Sequence, residues 1–201
     1  MARSTSDGVE ASEPDPVDLA GGGPGPGEWL VLVYRIPSEP TRLRAAAWRR
    51  LKGLGAVYLQ NSVAALPATP QTERALRKLR HDIVEMSGTA LLLSASAMVG
   101  EADLMSTYQA ARDDEYEEII DRCQDFLAQV AKEHVAAHFT FAELEENEVD
   151  LVKLQRWFEK ISERDVFGAP TRAATEAALA ECGKVLEDYA SRVYQEESED
   201  H

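Results

Sequence analysis

A chain of 201 residues with 44% hydrophobic content suits one domain, or one compact domain with an appendage. Its formal charge of −15 argues against an unspecific coat on nucleic acid, because phosphate repels a molecule of that sign. No apolar run is long enough to span a bilayer, and the two cysteines, Cys123 and Cys182, form no Cys-x-x-Cys pair, so a membrane span and a zinc or disulfide framework are unsupported.

The first 27 residues are rich in Gly, Pro, Ser and acids and end in a run from Gly21 to Gly27. Such a segment buries too little apolar surface to offset its ordering entropy, so a disordered tail is expected over 1–27. Its opening residues lack the apolar core of a secretion signal, which makes a cytoplasmic protein the expectation.

The fold is expected to begin at Trp29. Trp29 to Ile36 is a nearly continuous β-branched and aromatic run that suits a central strand, and Pro37 stops it. After Ser38-Glu39-Pro40, Leu43, Ala47, Leu51 and Leu54 recur at helical spacing, and Gly53 and Gly55 close the helix. Ala56–Gln60 and Ser62–Leu66 with Pro67 read as strands joined by a tight turn at Asn61. A second helix from about Pro70 to Met86 puts Leu76, Leu79, Ile83 and Met86 on one face. Gly88 ends it, and a last strand follows from Thr89 to Met98.

The order βαββαβ predicts an α+β fold: a ferredoxin-like unit over 28–100, an antiparallel sheet with two helices on one face. From Glu101 the pattern is helical. One stripe runs Tyr116, Ile119, Cys123, Leu127, Val130, His134 and a second runs Leu144, Leu151, Leu154, Phe158, Ile161. A third, after the break at Phe167 to Pro170, runs Ala174, Ala178, Cys182, Val185, Tyr189, Val193. A C-terminal helical bundle over 101–201, packed on the ferredoxin-like unit, is the expectation.

Charge is unevenly spread. Between Glu28 and Asp82 ten basic residues face four acidic ones, a local balance of +6 within an acidic chain. The candidates for contact with DNA phosphate or an oxyanion are Arg35, Arg42, Arg44, Arg49, Arg50, Lys52, Arg77 and Lys78, because guanidinium groups offer fixed forks of N–H donors to phosphate-like oxygens. The blander reading is a solvated outer face on two amphipathic helices. Trp48 and Tyr58 are the aromatics of this stretch.

Other motifs carry less. His134 and His138 are four apart, a spacing that can offer two imidazoles to one metal. His134 continues an apolar stripe, however, so a packed or partly buried histidine is expected and no metal site is assigned. The acids Glu143, Glu145, Glu146, Glu148 and Asp150 flank Leu144 and Leu151 and are expected to face solvent near a helix start. The sharper alternative pairs this acidic edge with the basic face, within the molecule or across a dimer. Both cysteines fall on apolar stripes and read as small core residues.

The segments Trp29-Leu-Val-Leu-Val-Tyr-Arg-Ile-Pro-Ser-Glu-Pro-Thr-Arg42, Tyr58-Leu-Gln-Asn-Ser62, Phe139-Thr-Phe-Ala-Glu-Leu-Glu-Glu-Asn147 and Arg164-Asp-Val-Phe-Gly-Ala-Pro170 resemble, in order, the N-terminal domain of the chromate-resistance protein ChrB family. More distantly, the first half resembles the ferredoxin-like core of PaaX-type repressors and of small CRISPR-associated nucleases. The resemblance implies a chromate-responsive transcriptional regulator, or its regulatory component, in control of chromate efflux. Longer members of the family carry a further C-terminal domain, so DNA, chromate, a separate chromate-sensing domain and a second copy of the chain are the partners to weigh.

An enzyme is not expected. A metal-dependent nuclease on such a core needs a carboxylate near the end of its first strand, and Arg35 stands there. No Gly-x-Gly-x-x-Gly fingerprint is present and no cofactor is assigned. The alternative to a regulator is a non-catalytic interaction module whose apolar surfaces bind another copy or a sensor domain.

Overall fold

A computed structural model describes residues 28–199. The tail expected over 1–27 lies outside the described residues. The elements in chain order are β1 (Trp29–Arg35), α1 (Thr41–Gly53), β2 (Val57–Gln60), β3 (Val63–Pro67), α2 (Pro70–Glu85), β4 (Thr89–Ala95), α3 (Glu101–Val135), α4 (Phe141–Ser162) and α5 (Arg172–Glu199). The sheet has the order β2-β3-β1-β4 with every neighbouring pair antiparallel, which is the ferredoxin-like arrangement followed by a helical region. β4 is shorter than expected, ending at Ala95 rather than Met98.

Period-two alternation divides β1 between the two faces of the sheet. Leu30 and Leu32 lie with Leu66, Ala64, Leu51, Leu76, Leu79 and Ile83 in the core beneath α1 and α2. Burying each of these large aliphatic side chains contributes about 1.5–3 kcal/mol. Local chemistry sets the ends of α2. Thr69 caps it by accepting from Thr72 N at 3.0 Å, Thr72 Oγ1 accepts from Thr69 N at 2.9 Å, and Pro70 opens the first turn. Beyond α2, Gly88 passes so close to β1 that a Cβ there would lie 2.6 Å from the Arg35 carbonyl oxygen.

The other sheet face is covered at one end only. Trp29 is packed edge-on by Tyr108 of α3 and tilted against Phe167, with ring centroids 5.9 and 5.6 Å away. The first turns of α3 thus belong to the sheet's core. From Tyr116 onward the same helix belongs to a second core shared with α4 and α5, built on Ile119, Cys123, Val130, Leu144, Leu151, Ile161 and Tyr189. With 35 residues, or roughly 50 Å, α3 is the spine joining the two.

Between the two cores sits a polar clamp. Glu115 receives Arg164 Nη2 at 2.9 Å and Nε at 3.3 Å. Arg112 Nε lies 2.8 Å from the same carboxylate, near enough for ion-pair attraction although its N–H is not aimed along a hydrogen-bond line. Each guanidinium also reaches the turn after α1: Arg112 Nη1 donates to Gly55 O at 2.9 Å and Arg164 Nη1 to Gly53 O at 3.3 Å. Arg112 is buried and lies over the Tyr108 ring, and Tyr108 donates its hydroxyl hydrogen to the Arg164 carbonyl. Around it, Asp165 accepts from Ala169 N at 3.0 Å and from Tyr116 Oη at 3.2 Å, shaping the turn into α5.

Two expectations for the helical half shift. The buried residue near the end of α3 is Glu133 rather than His134: both its carboxylate oxygens are satisfied, by Gln129 Nε2 at 2.8 Å and Asn147 Nδ2 at 2.7 Å, so the helix can turn this residue inward. His134 is solvent-exposed, with its ring packed edge-on to Phe139 and Tyr189. On α5 the buried stripe runs Thr175, Leu179, Cys182, Leu186, Tyr189 and Val193, so Ala174 faces outward and Ala178 and Val185 sit at the border.

Gly55 adopts φ +80°, and a Cβ there would lie 2.3 Å from Arg112 Nη1. Gly55→Ala therefore carries a backbone penalty of about 1–3 kcal/mol and displaces the clamp as well. Urea denaturation should show a lower midpoint for this variant, and an unchanged midpoint would contradict the assignment. A second outcome concerns Cys182, whose thiol burial pushes up from 9.0 to about 12. The folded chain holds this proton where the unfolded chain ionises, so the associated stability is complete below pH 9.0 and is lost as pH climbs toward about 12. The melting temperature of wild type should accordingly fall more steeply over that alkaline range than that of Cys182→Ala.

Candidate functional site

The candidate site is the outer surface of the helix pair that covers the sheet. On α1, Ala47 and Leu51 are buried and Leu43 is half-buried, so the 100° step per residue sends Arg42, Arg49 and Lys52 to the opposite, solvent side. Arg44 and Trp48 lie on one flank, and Lys52 Nζ sits 5.5 Å from the centre of the Trp48 ring. Arg50 lies on the other flank, toward α2, where it pairs with Asp82 and bridges the two helices. On α2 the inward face of Leu76, Leu79 and Ile83 leaves Arg74, Arg77, Lys78 and His81 exposed.

These placements sort the eight sequence candidates. Arg42, Arg44, Arg49, Lys52 and Lys78 are exposed, and among the described residues no carboxylate lies within ion-pair reach of any of them. Arg77 is held by Glu73 one turn away, with Nη2 2.6 Å and Nε 2.9 Å from the same oxygen, and Arg50 by Asp82. Both are partly neutralised. Arg35 stands apart: strand alternation puts it with Val31 and Val33 on the sheet face that α1 and α2 do not cover. Arg74 was not among the candidates, yet it falls on the outward side of α2 one turn before Lys78; taking Leu76 and Leu79 as the inward direction would have found it.

The site has an aromatic component. Trp48 is 49% exposed, an unusual state for the largest apolar side chain, and it adjoins the unpaired cations of α1. At the edge of the sheet the Tyr34 and Tyr58 hydroxyls lie 3.3 Å apart, and burial together with this contact raises the Tyr58 pKa, so the phenol stays protonated.

The acidic residues lie elsewhere. Asp114, Glu117, Glu118, Asp121 and Asp125 line one exposed side of α3 at helical spacing. Glu145, Glu146, Glu148 and Asp150 project to solvent from α4 as expected, away from the buried Leu144, Asn147 and Leu151, whereas Glu143 in the first turn is half-buried. Among the described residues no ion pair joins the Glu143 to Asp150 run to α1 or α2; Asp150 pairs with Lys153 of its own helix at 2.8 Å. The two cysteines, remote in sequence, meet between α3 and α5, where the Cys182 thiol donates to the Cys123 carbonyl at 3.6 Å. Burial raises both thiol pKa values and keeps them protonated.

No group of three or more His, Cys, Asp or Glu side chains is gathered at metal-binding distance among the described residues. Nor is any of their helices long and apolar enough to cross a membrane.

Comparison with known proteins matches residues 44–200 to the family described as Protein ChrB, N-terminal. The match begins inside α1, so β1 lies outside it, whereas the Arg44 to Lys52 and Arg74 to Lys78 cations lie within it. The chain is also 28% identical over 153 residues to Protein ChrB of Cupriavidus metallidurans, an overlap of 75% of this chain and 43% of that protein. It thus spans less than half the length of this relative. With the family match extending over both cores and the clamp between them, the chain belongs to the ChrB N-terminal domain family.

Proposed function

We propose that this chain is a cytoplasmic, non-enzymatic component in the control of chromate resistance, and that the outer face of α1 and α2 is its contact with an anion, DNA phosphate in the first place. The observation that carries this reading is the group of exposed cations without carboxylate partners among the described residues, Arg42, Arg44, Arg49, Lys52 and Lys78 with Arg74 beside them, next to exposed Trp48 on a molecule of formal charge −15. In a chain so acidic, a cationic face with few acids of its own attracts a polyanion locally while the acidic helices point it, repelling approach from other directions.

The pattern suits backbone contact better than base reading. Arg42 and Arg49 are about two turns, or roughly 10 Å, apart on one helix, and the separate rows of α1 and α2 widen the footprint. Such contacts fix register on phosphate and carry no sequence information by themselves. An oxyanion such as chromate offers the same tetrahedral oxygens to an arginine fork, so it is expected to compete for this face. Arg35 at the end of β1, where a nuclease of this core would hold a metal-binding carboxylate, supports the non-enzymatic reading.

Fluorescence anisotropy with duplex DNA from upstream of the chain's own gene, at two salt concentrations and with and without chromate, tests the proposal. The Arg42→Ala/Arg49→Ala/Lys52→Ala variant should bind at least about tenfold more weakly at low salt, with a salt slope smaller by about 3. Arg77→Ala, which removes a cation already paired, should change binding far less. Equal binding by wild type and the triple variant would sink the basic-face reading. Binding that ignores salt would favour an apolar interaction module instead.

A further inference from the structure

The two edges of the sheet are treated differently. β2 is four residues long, its pairing with β3 is irregular between Tyr58 and Gln60, and α3 packs against it. Shortness, a bulge and a covering helix are the usual means of blunting an edge. β4 is neither short nor bulged, and α2, which packs on it, lies on the helix-covered face of the sheet. The strand is seven residues long, pairs with β1 in unbroken register from Thr89 to Ala95, and has no charged residue and no proline. Its outer row of backbone N–H and C=O groups faces no other strand among the described residues.

The surface beside that edge is apolar on both sides. On the open sheet face Leu91 is 56% and Leu93 41% exposed, and Val33 of the neighbouring strand adjoins Leu91. On the helix side, Asp82 faces α1 and Ile83 faces the sheet, so one further 100° step turns Val84, 45% exposed, toward the β4 edge. Arg80 on that flank and Arg35 opposite Thr89 are charges at the rim.

We infer that this edge is the contact between two copies of the chain, with β4 pairing antiparallel to β4 of the partner copy across a two-fold axis near Leu92. Charge is the first argument. Copies carrying −15 each repel one another over most of their surface, and an uncharged strand is where they can approach. Self-complementarity is the second. Centred on Leu92, the pairing sets Leu91 opposite Leu93, Ala90 opposite Ser94 and Thr89 opposite Ala95, so all seven residues are matched and the leucines form one strip on one face. The product is a continuous eight-stranded sheet with the basic helices of both copies on the same side. This inference does not depend on what those helices bind.

Sedimentation equilibrium of the full chain tests it. Wild type should sediment as a species of twice 22.2 kDa. Leu91→Lys/Leu93→Lys, which sets like charges opposite one another at exposed positions, should be monomeric with unchanged circular dichroism and melting temperature. Mixing it with Leu91→Glu/Leu93→Glu, also monomeric alone, should restore the doubled mass. A monomeric wild type, a lysine variant as dimeric as wild type, or a mixture that stays monomeric would each overturn the pairing.

Discussion

Two arginines on one carboxylate hold this molecule in its shape. Glu115 gathers Arg112 and Arg164, and both guanidinium groups reach on to the carbonyls of Gly53 and Gly55 at the end of α1. Gly53 closes α1, and the last carbonyls of a helix carry partial negative charge and lack intrahelical partners, so Arg164 is favoured there on two counts, while Arg112 satisfies the Gly55 carbonyl in the turn beyond. Because Arg112 is buried, removing its carboxylate partner would leave a guanidinium without a counterion in a region of low dielectric, a loss of about 3–5 kcal/mol. The anchor acts beside the apolar packing of Trp29, Tyr108 and Phe167 where the helical half meets the sheet. That half docks at the α1 end of the sheet and over Trp29, and leaves free both the outer side of α1 and α2 and the far end of the opposite sheet face.

The distribution of charge takes on meaning in this frame. Acids line the exposed side of α3 and project from α4, cations line α1 and α2, and the charges of the clamp, Arg112, Glu115 and Arg164, all come from the helical half and meet the α1 end only at the Gly53 and Gly55 carbonyls. Much of the Arg164 to Pro170 segment that carries the family resemblance is occupied with building this junction: Arg164 in the clamp, Asp165 in the turn, Phe167 against Trp29 and Tyr108. Phe139 to Asn147 is similar in kind, with Thr140 capping α4 and Asn147 satisfying Glu133. A motif that identifies the family is here mainly one that fixes architecture, and the exposed cations of α1 and α2 take no part in that junction.

The ferredoxin-like unit was legible because its strands and helices are short, strongly periodic and punctuated by Pro37, Asn61, Pro70 and Gly88. The helical half was legible as helices and less so in its faces. An alanine-rich helix such as α5 offers several adjacent stripes of similar hydropathy, and only contact with α3 and α4 selects the one running through Thr175 and Leu179. Glu133 escaped for another reason: a carboxylate is turned inward only when donors such as Gln129 and Asn147 stand ready, and Asn147 lies on a different helix. The Arg164 to Glu115 pair of the clamp and the Cys123 to Cys182 contact likewise join residues 49 and 59 positions apart, with no local signal. At the candidate site, the cations were visible but their pairing was not. Separating Arg50 from Arg49 needs the position of Asp82 across the helix pair, whereas the departure of Arg35 to the other sheet face follows from counting alternate residues along β1.

Whether the clamp joins the sheet to the helical half is decided by following unfolding separately in the two. Hydrogen exchange in urea reports β1 and β3 for one core, and α4 with the later turns of α5 for the other. In wild type both sets of amides should lose protection together, as one cooperative unit. In Arg112→Ala/Arg164→Ala they should separate into two transitions, the sheet and the helices each unfolding at its own midpoint. A double variant that still unfolds as one unit at the wild-type midpoint would contradict this role of the clamp and show that the apolar contacts of Trp29, Tyr108 and Phe167 join the halves without it.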